Sequence, residues 1–398
     1  MESSRVLYIT RNGMLEPLGQ SQVLSYLKGL SRNYQVSLIS FEKPEDRADE
    51  LGFESVKKDC ERHGIRWLPQ RFYHRPKVIA PAWSMIVFLF LCLREVRRGN
   101  AELIHARSYI PAAVALLVNK LTGTPFIFDM RALWPEELIT AGRLKRGSVM
   151  HKAIAWVERS CLKNAAAVVS LTHAAVGYLQ ETYPEELKGQ VIRVIPTCAD
   201  LDRFVPASTD GGGAATYSCV GTVLSGWFHL DWLAEFFQQV AAQDPEACFE
   251  VITRDASDEV RLRLGGNEDF QQRLRVFGLP PQQVHSAVQG HTVSAMFFSQ
   301  GLSKLGSSPT RMGEILGCGL PVVANSGVGD VARIIEQYNV GVLVEDGSSE
   351  SMKLGLQRLN ELRKDPELAQ RCRRAAEEVF SLGAGTEAYR ELYRDILK

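Results

Sequence analysis

The sequence predicts an α/β protein made of two parallel-sheet domains. Three observations carry this expectation. Short apolar runs alternate with stretches of helical spacing along the chain, the pattern of βαβ units. Several of those runs are apolar throughout, as in parallel strands covered on both faces. At 398 residues the chain is also long for a single core, so two domains are expected.

The composition narrows the function. Hydrophobic residues make up 45% and charged residues 23%, ordinary for a globular soluble protein. Lys plus Arg and Asp plus Glu are equal at 46 each, so no global basic field points to nucleic acid. The eight cysteines are scattered without a Cys-x-x-Cys pair. That argues against a zinc site and a secreted disulfide framework, and fits the reduced cytosol. The N-terminus enters a strand without a signal-peptide pattern.

In chain order, the first strand is expected over 6–10. A loop with Gly13, Pro17 and Gly19 follows, then helical spacing from Ser21 with Val23, Leu24, Leu27 and Leu30 on one face, then a strand over 36–41. This order outlines a mononucleotide-binding unit. Gly13 and Gly19 do not make the dinucleotide fingerprint, so a nicotinamide cofactor is not expected. Gly19 either admits a phosphate or sugar or simply turns the chain.

Residues 78–93 are the most hydrophobic segment, flanked by Arg75, Lys77, Arg94, Arg97 and Arg98. A membrane span needs roughly twenty apolar residues, so a buried helix is expected first. A helix lying in the membrane interface comes second, on the strength of the basic flanks and Trp83.

Strands over 103–106, 125–128, 167–171 and 191–195 complete the first sheet. Ligands of such sheets bind beyond the carboxyl ends of strands. Two ends carry polar groups, His105 with Arg107, Ser108 and Tyr109, and Asp129 with Arg131. A satisfied core histidine and a structural ion pair are the bland alternatives, and the strand-end position favours function. Asp200-x-Asp202 resembles a metal motif but lacks a third ligand, and reads as hinge capping. Residues 205–216, with three consecutive glycines, read as a linker.

The second domain repeats the pattern, with strands over 217–221, 249–253, 274–277, 295–298, 321–325 and 341–344. Gly221 to Trp227 is a glycine-bracketed turn into a helix over 230–240. Arg254 sits just past a strand end, where it either meets a diphosphate or is merely solvated. The stretch from Ser307 to Glu314 opens a helix, with Ser308 as its N-cap and Pro309 at the first helical position. Such an N-terminus is an anion site. Glu314, four residues after Thr310, lies one turn deeper on the same face. Phosphate at the tip with a carboxylate beneath would hold a nucleoside diphosphate, whereas a capped surface helix with a solvated Glu is the bland reading. A loop with Gly327 and Gly329 leads to a second helix capped by Asp330. In the tail, Tyr389, Leu392, Tyr393 and Ile396 fall in helical register, so a helix is expected to pack across one domain.

The motifs Glu16-Pro-Leu-Gly-Gln-Ser-Gln22, Ile104 to Tyr109, Phe126 to Arg131, Val194 to Asp200, Gly221 to Trp227 and Ser307 to Asp330 form a series. In order and spacing it is similar to retaining GT-B glycosyltransferases of family 4, of the bacterial surface-polysaccharide type. The resemblance implies two Rossmann-like domains with parallel sheets facing a central cleft. It implies an acceptor-side domain over 1–204, a linker over 205–216, a nucleotide-sugar domain over 217–375, and a C-terminal helix over 376–398 packing back on the first domain. Carried over by position, Glu314 holds the ribose, and Ser307, Ser308, Pro309 and Thr310 form the turn beneath the donor phosphates. Gly19 is the N-terminal loop glycine near the diphosphate, and Arg254 and Lys304 stand beside the leaving group. His105, Asp129 and Arg131 are the catalytic candidates. Neither metal nor cofactor is implied beyond the nucleotide-diphosphate sugar itself.

Two positions depart from the family pattern. Gly306 stands where many members have a second glutamate, and Asp129 where many have a histidine. The expectation is a cytoplasmic hexosyltransferase moving sugar to a glycan or lipid-linked acceptor in polysaccharide biosynthesis. Peripheral contact with the inner face of the membrane is a secondary expectation. A nucleotide-sugar epimerase of the same fold and a non-catalytic nucleotide-sugar-binding protein are the alternatives.

Overall fold

The computed structural model describes residues 3–72, 79–207 and 213–398, without the side chains of 79–82. Arg75, Lys77, the start of the apolar 78–93 segment and most of the glycine run in the expected linker lie outside those residues. The chain divides into two compact units, Met1–Pro196 with Gly385–Lys398, and Thr197–Ala384.

The first unit holds a seven-stranded parallel sheet in the order β3-β2-β1-β4-β5-β6-β7. Its strands are β1 (Arg5–Ile9), β2 (Gln35–Glu42), β3 (Arg66–Arg71), β4 (Leu103–Arg107), β5 (Phe126–Asp129), β6 (Ala167–Ser170) and β7 (Ile192–Val194). β1, β4, β5 and β6 are buried almost throughout, which is why their sequences are apolar runs rather than alternating ones. β3 is the strand that periodicity did not reveal. Its sequence RWLPQR is polar and carries Pro69, and it lies at the sheet edge, where a missing N–H is tolerated.

Helices Ile79–Arg97, Tyr109–Thr122 and Val149–Asn164 connect β3 to β4, β4 to β5 and β5 to β6. Right-handed crossovers put all three on one face of the sheet, packed side by side. The first of them is half-buried rather than buried: Phe88, Leu91 and Cys92 face the core, while Trp83, Ile86 and Phe90 stand exposed. Among the described residues, no helix is long and apolar enough to cross a membrane.

The loop after β1 is held from below. The buried Glu42 carboxylate accepts the Met14 and Leu15 N–H groups at 3.0 and 3.1 Å. The chain then passes through a short helix, Pro17–Gly19, into a π-helical turn, Gln20–Leu24. A Cβ on Gly19 would sit 1.9 Å from the Gly13 carbonyl oxygen, so glycine here lets helix and loop touch. Gly19→Ala forces one backbone segment off the other and is expected to cost about 1–3 kcal/mol. A denaturant melt checks this, and an unchanged midpoint contradicts it.

The second unit holds a six-stranded parallel sheet in the order β10-β9-β8-β11-β12-β13. These are β8 (Thr216–Val220), β9 (Cys248–Ile252), β10 (Leu274–Phe277), β11 (Val293–Met296), β12 (Val322–Asn325) and β13 (Gly341–Val344). Phe236, Phe237, Phe249 and Phe297 centre the core on one face, and Met312, Ile315, Val331 and Phe380 that on the other.

The division between units falls at Pro196/Thr197, ahead of the boundary expected at 204. The reason is local packing. Phe204 is buried in the second unit's core, and the Arg373 guanidinium donates to the Phe204 and Leu201 carbonyls at 2.7 and 3.1 Å. Helix Leu368–Phe380 belongs to the second unit, and only residues from Gly385 onward join the first. There Thr386 packs on Gly29, Gly385 lies against Tyr26, and Tyr389 and Tyr393 are buried.

Candidate functional site

In the second unit, four loops gather at the carboxyl edge of the sheet, after β8, β9, β11 and β12. The loop after β8 opens at Gly221, whose φ of 131° only glycine adopts readily. Asp255, just past β9, holds this loop. One carboxylate oxygen accepts the Val223 and Leu224 N–H groups at 2.6 and 3.0 Å and the Thr253 hydroxyl at 2.9 Å. Burial would raise this carboxyl, but the Leu224 and Val223 amides and Thr253 outweigh it and lower it. Asp255 escaped the sequence reading, although its place two residues past a strand end was a usable signal. Asp255→Ala is expected to speed hydrogen exchange at Val223 and Leu224 by roughly tenfold or more. Unchanged exchange at both amides contradicts the clamp.

The same loop carries Trp227, and the Lys304 ammonium lies 3.6 Å from the centre of its ring. That packing keeps a cation at the sheet edge. The Lys304 carbonyl also accepts the Gly329 N–H at 2.9 Å, which joins the β11 and β12 loops. Arg254 is exposed and unpaired among the described residues.

Helix Thr310–Gly317 begins one residue later than expected. Pro309 takes the N-cap position, and its extended backbone ends the preceding loop. Ser308 is not the cap. Its hydroxyl is 3.1 Å from the Thr197 hydroxyl, and its carbonyl accepts from Thr197 at 2.9 Å. No side chain caps this helix, so the N-terminal amides of the 310 turn remain available to an anion. Ser307 and Thr310 flank that tip. Asp330, too, occupies an N-cap position without making a side-chain cap bond.

Glu314 lies one turn in. Its side chain is largely buried and pairs with Arg311. Burial raises its carboxyl, with Arg311 working against the rise. Gly313 and Gly317 let the helix lie close to Phe380 and to Leu201 and Phe204, where a Cβ would come within 2.6 and 2.8 Å of side-chain atoms. Lys304, Ser307, Ser308, Pro309, Thr310 and Glu314 thus lie on the connection that leaves the carboxyl end of β11, and Arg254 on the loop that leaves the same end of β9.

The first unit brings His105, Asp129 and Arg131 together in its interior. The Asp129 carboxylate is 3.3 Å from His105 Nε2, 3.7 Å from Arg107 and 3.6 Å from Arg131. Tyr389 of the C-terminal helix donates to Asp129 at 3.2 Å, and the Tyr393 hydroxyl is 2.6 Å from His105 Nδ1. Asp129 is fully enclosed and His105 is 1% exposed. Burial would raise the Asp129 carboxyl, but Arg131, His105 and Arg107 bring it down to about 2. Burial also lowers His105, against the pull of Asp129. Two strand-end residues here, Ser108 and Arg131, have φ of 76° and 61°, strained values for non-glycine residues. The C-terminal tyrosines are partners of this cluster that the sequence reading did not assign.

This two-unit parallel α/β architecture is the GT-B fold of glycosyltransferases. The solved glycosyltransferase from Rickettsia africae ESF-5 superposes with a TM-score of 0.71 at 15% identity, over 100% of both chains. HepE from Anabaena in complex with UDP gives 0.69 at 14% identity, over 98% of this chain and 100% of that one. Sucrose-phosphate synthase from Thermosynechococcus elongatus gives 0.67 at 16% identity, over 99% of each. In sequence, residues 19–198 match the family described as Glycosyl transferase 4-like domain. No curated protein matches the chain.

Proposed function

We propose that this chain is a retaining, metal-independent glycosyltransferase that takes a hexose-type sugar from a nucleotide-diphosphate donor. The observation that carries the reading is the uncapped N-terminus of helix Thr310–Gly317 with Glu314 one turn inside it. Bound phosphates would accept from that helix tip, with Ser307, Ser308 and Thr310 around them, and Glu314 would take the ribose hydroxyls. Lys304 and Arg254 would meet the charge that develops on the departing diphosphate. HepE, of the same fold, has been solved with UDP and with UDP-glucose, which makes uridine the first base to try. The acceptor is assigned to the first unit, as a glycan or lipid-linked saccharide of polysaccharide biosynthesis at the inner face of the membrane. No cofactor is required.

The test is slow donor hydrolysis followed by NMR. Release of a sugar with the donor's own anomeric configuration, insensitive to EDTA, is the expected result; inversion overturns the mechanism. One observation favours a second reading. The enclosure of His105 and Asp129 suits a protein that binds nucleotide sugars without chemistry. That reading expects donor binding with neither hydrolysis nor transfer.

A further inference from the structure

Eight of the fourteen large apolar side chains exposed among the described residues lie on three helices, Ile79–Arg97, Tyr109–Thr122 and Val149–Asn164. These are the helices packed side by side on one face of the first unit's sheet, so the apolar groups are gathered rather than scattered. On the first helix Trp83, Ile86 and Phe90 form a stripe at spacings of three and four, between 54% and 64% exposed. Leu117 and Leu121 extend it on the second helix, and Trp156 on the third.

The charges on these helices are one-sided. They carry only two acids, Glu95 and Glu158, and both are buried. Glu95 is satisfied by Arg66, Arg94 and Asn100, and Glu158 by Tyr109 and Tyr183. The cations, in contrast, stand outward. Arg97, Lys120, Lys152 and Lys163 are exposed, and none forms an ion pair among the described residues. The whole chain has a formal net charge of zero, so an outer layer with cations and no outward carboxylate is a local feature.

We propose that this three-helix face docks on an anionic lipid bilayer, with Trp83, Ile86, Phe90 and Trp156 in the headgroup–acyl boundary and the lysines and arginines on lipid phosphates. Charge complementarity selects this occupant. A second copy of the chain meeting the same face by twofold symmetry would set cations against cations. The proposal does not depend on the transferase reading, since the face lies wholly within the first unit and shares no residue with the candidate donor site.

Sedimentation of the full chain with phosphatidylcholine vesicles, with and without about 30% phosphatidylglycerol, tests it. The expected result is binding to the mixed vesicles alone, weakened by salt. Trp83→Ser with Phe90→Ser is expected to weaken it about tenfold, and Arg97→Glu with Lys152→Glu about thirtyfold or more. All four positions are exposed, so a thermal melt should show both double variants folded. No vesicle binding, equal binding to neutral vesicles, or binding undiminished in the variants overturns the proposal. A wild-type dimer that the variants disperse, without vesicle binding, overturns it in favour of a second copy. A nucleotide-binding assay on the same samples distinguishes failure of this face from failure of the donor reading.

Discussion

Replacing Asp129 with Asn is expected to cost about 3–5 kcal/mol of stability, because it leaves buried cations without their counterion. Asp129 is the one carboxylate among His105, Arg107 and Arg131, and it also receives the Tyr389 hydroxyl from the C-terminal helix. An isosteric amide keeps the shape but not the charge. The effect has a defined pH dependence. The folded carboxyl titrates near 2, below its ordinary 3.8. Its stabilisation is therefore fully present above the ordinary value and is lost as pH falls through the folded one. Urea melts of wild type and Asp129→Asn should differ fully at pH 7 and converge as the pH drops from about 4 towards 2. Tyr389→Phe, which removes a single hydrogen bond to that carboxylate, should cost only about 0.5–1.5 kcal/mol. Equal stability of Asp129→Asn and wild type at pH 7 contradicts the buried-cluster account.

Replacing Glu314 with Ala is expected to weaken binding of the nucleoside diphosphate roughly tenfold to a hundredfold. Hydrogen bonds to a charged acceptor are worth about 1.5–3 kcal/mol, and Glu314 is the acceptor assigned to the ribose. The fold should persist. In the ligand-free protein the Glu314 carboxylate is engaged by Arg311, itself 41% exposed, and such pairs contribute about 0–1 kcal/mol. Calorimetric titration beside a thermal melt separates the two effects. Weaker affinity at an unchanged melting temperature supports the assignment. Unchanged affinity places the ribose elsewhere.

The legibility of this chain followed burial. Strands β10 and β13 were readable to the residue although both lie at sheet edges, and most others to within one or two, because the doubly covered parallel strands are apolar runs bounded by polar turns. β3 was not, because an edge strand with one polar face and a proline carries no such signature. The Ser307–Glu314 stretch was legible as a helix start from local chemistry alone. The exact cap was not, because Ser308 is claimed by Thr197, more than a hundred residues away in sequence. The trio His105, Asp129 and Arg131 was found by its strand-end position. Its enclosure depends on Tyr389 and Tyr393, which approach from the far end of the chain and leave no local trace. The clamps Glu42 and Asp255 follow one rule in both units. A carboxylate at or just past the end of the second strand accepts two amides of the loop after the first strand. One sequence shows the carboxylates but not their targets.

The central claim is that the second unit holds a nucleoside diphosphate at the tip of helix Thr310–Gly317. A thermal-shift panel of UDP, GDP, ADP and NAD, each with and without EDTA, tests it most directly. A ligand at a hundredfold excess over its Kd stabilises the folded state by about 2.7 kcal/mol. The account predicts a rise of several degrees with one nucleoside diphosphate, unaffected by EDTA and much reduced in Glu314→Ala. A rise with NAD alone, or no rise with any nucleotide, would contradict it.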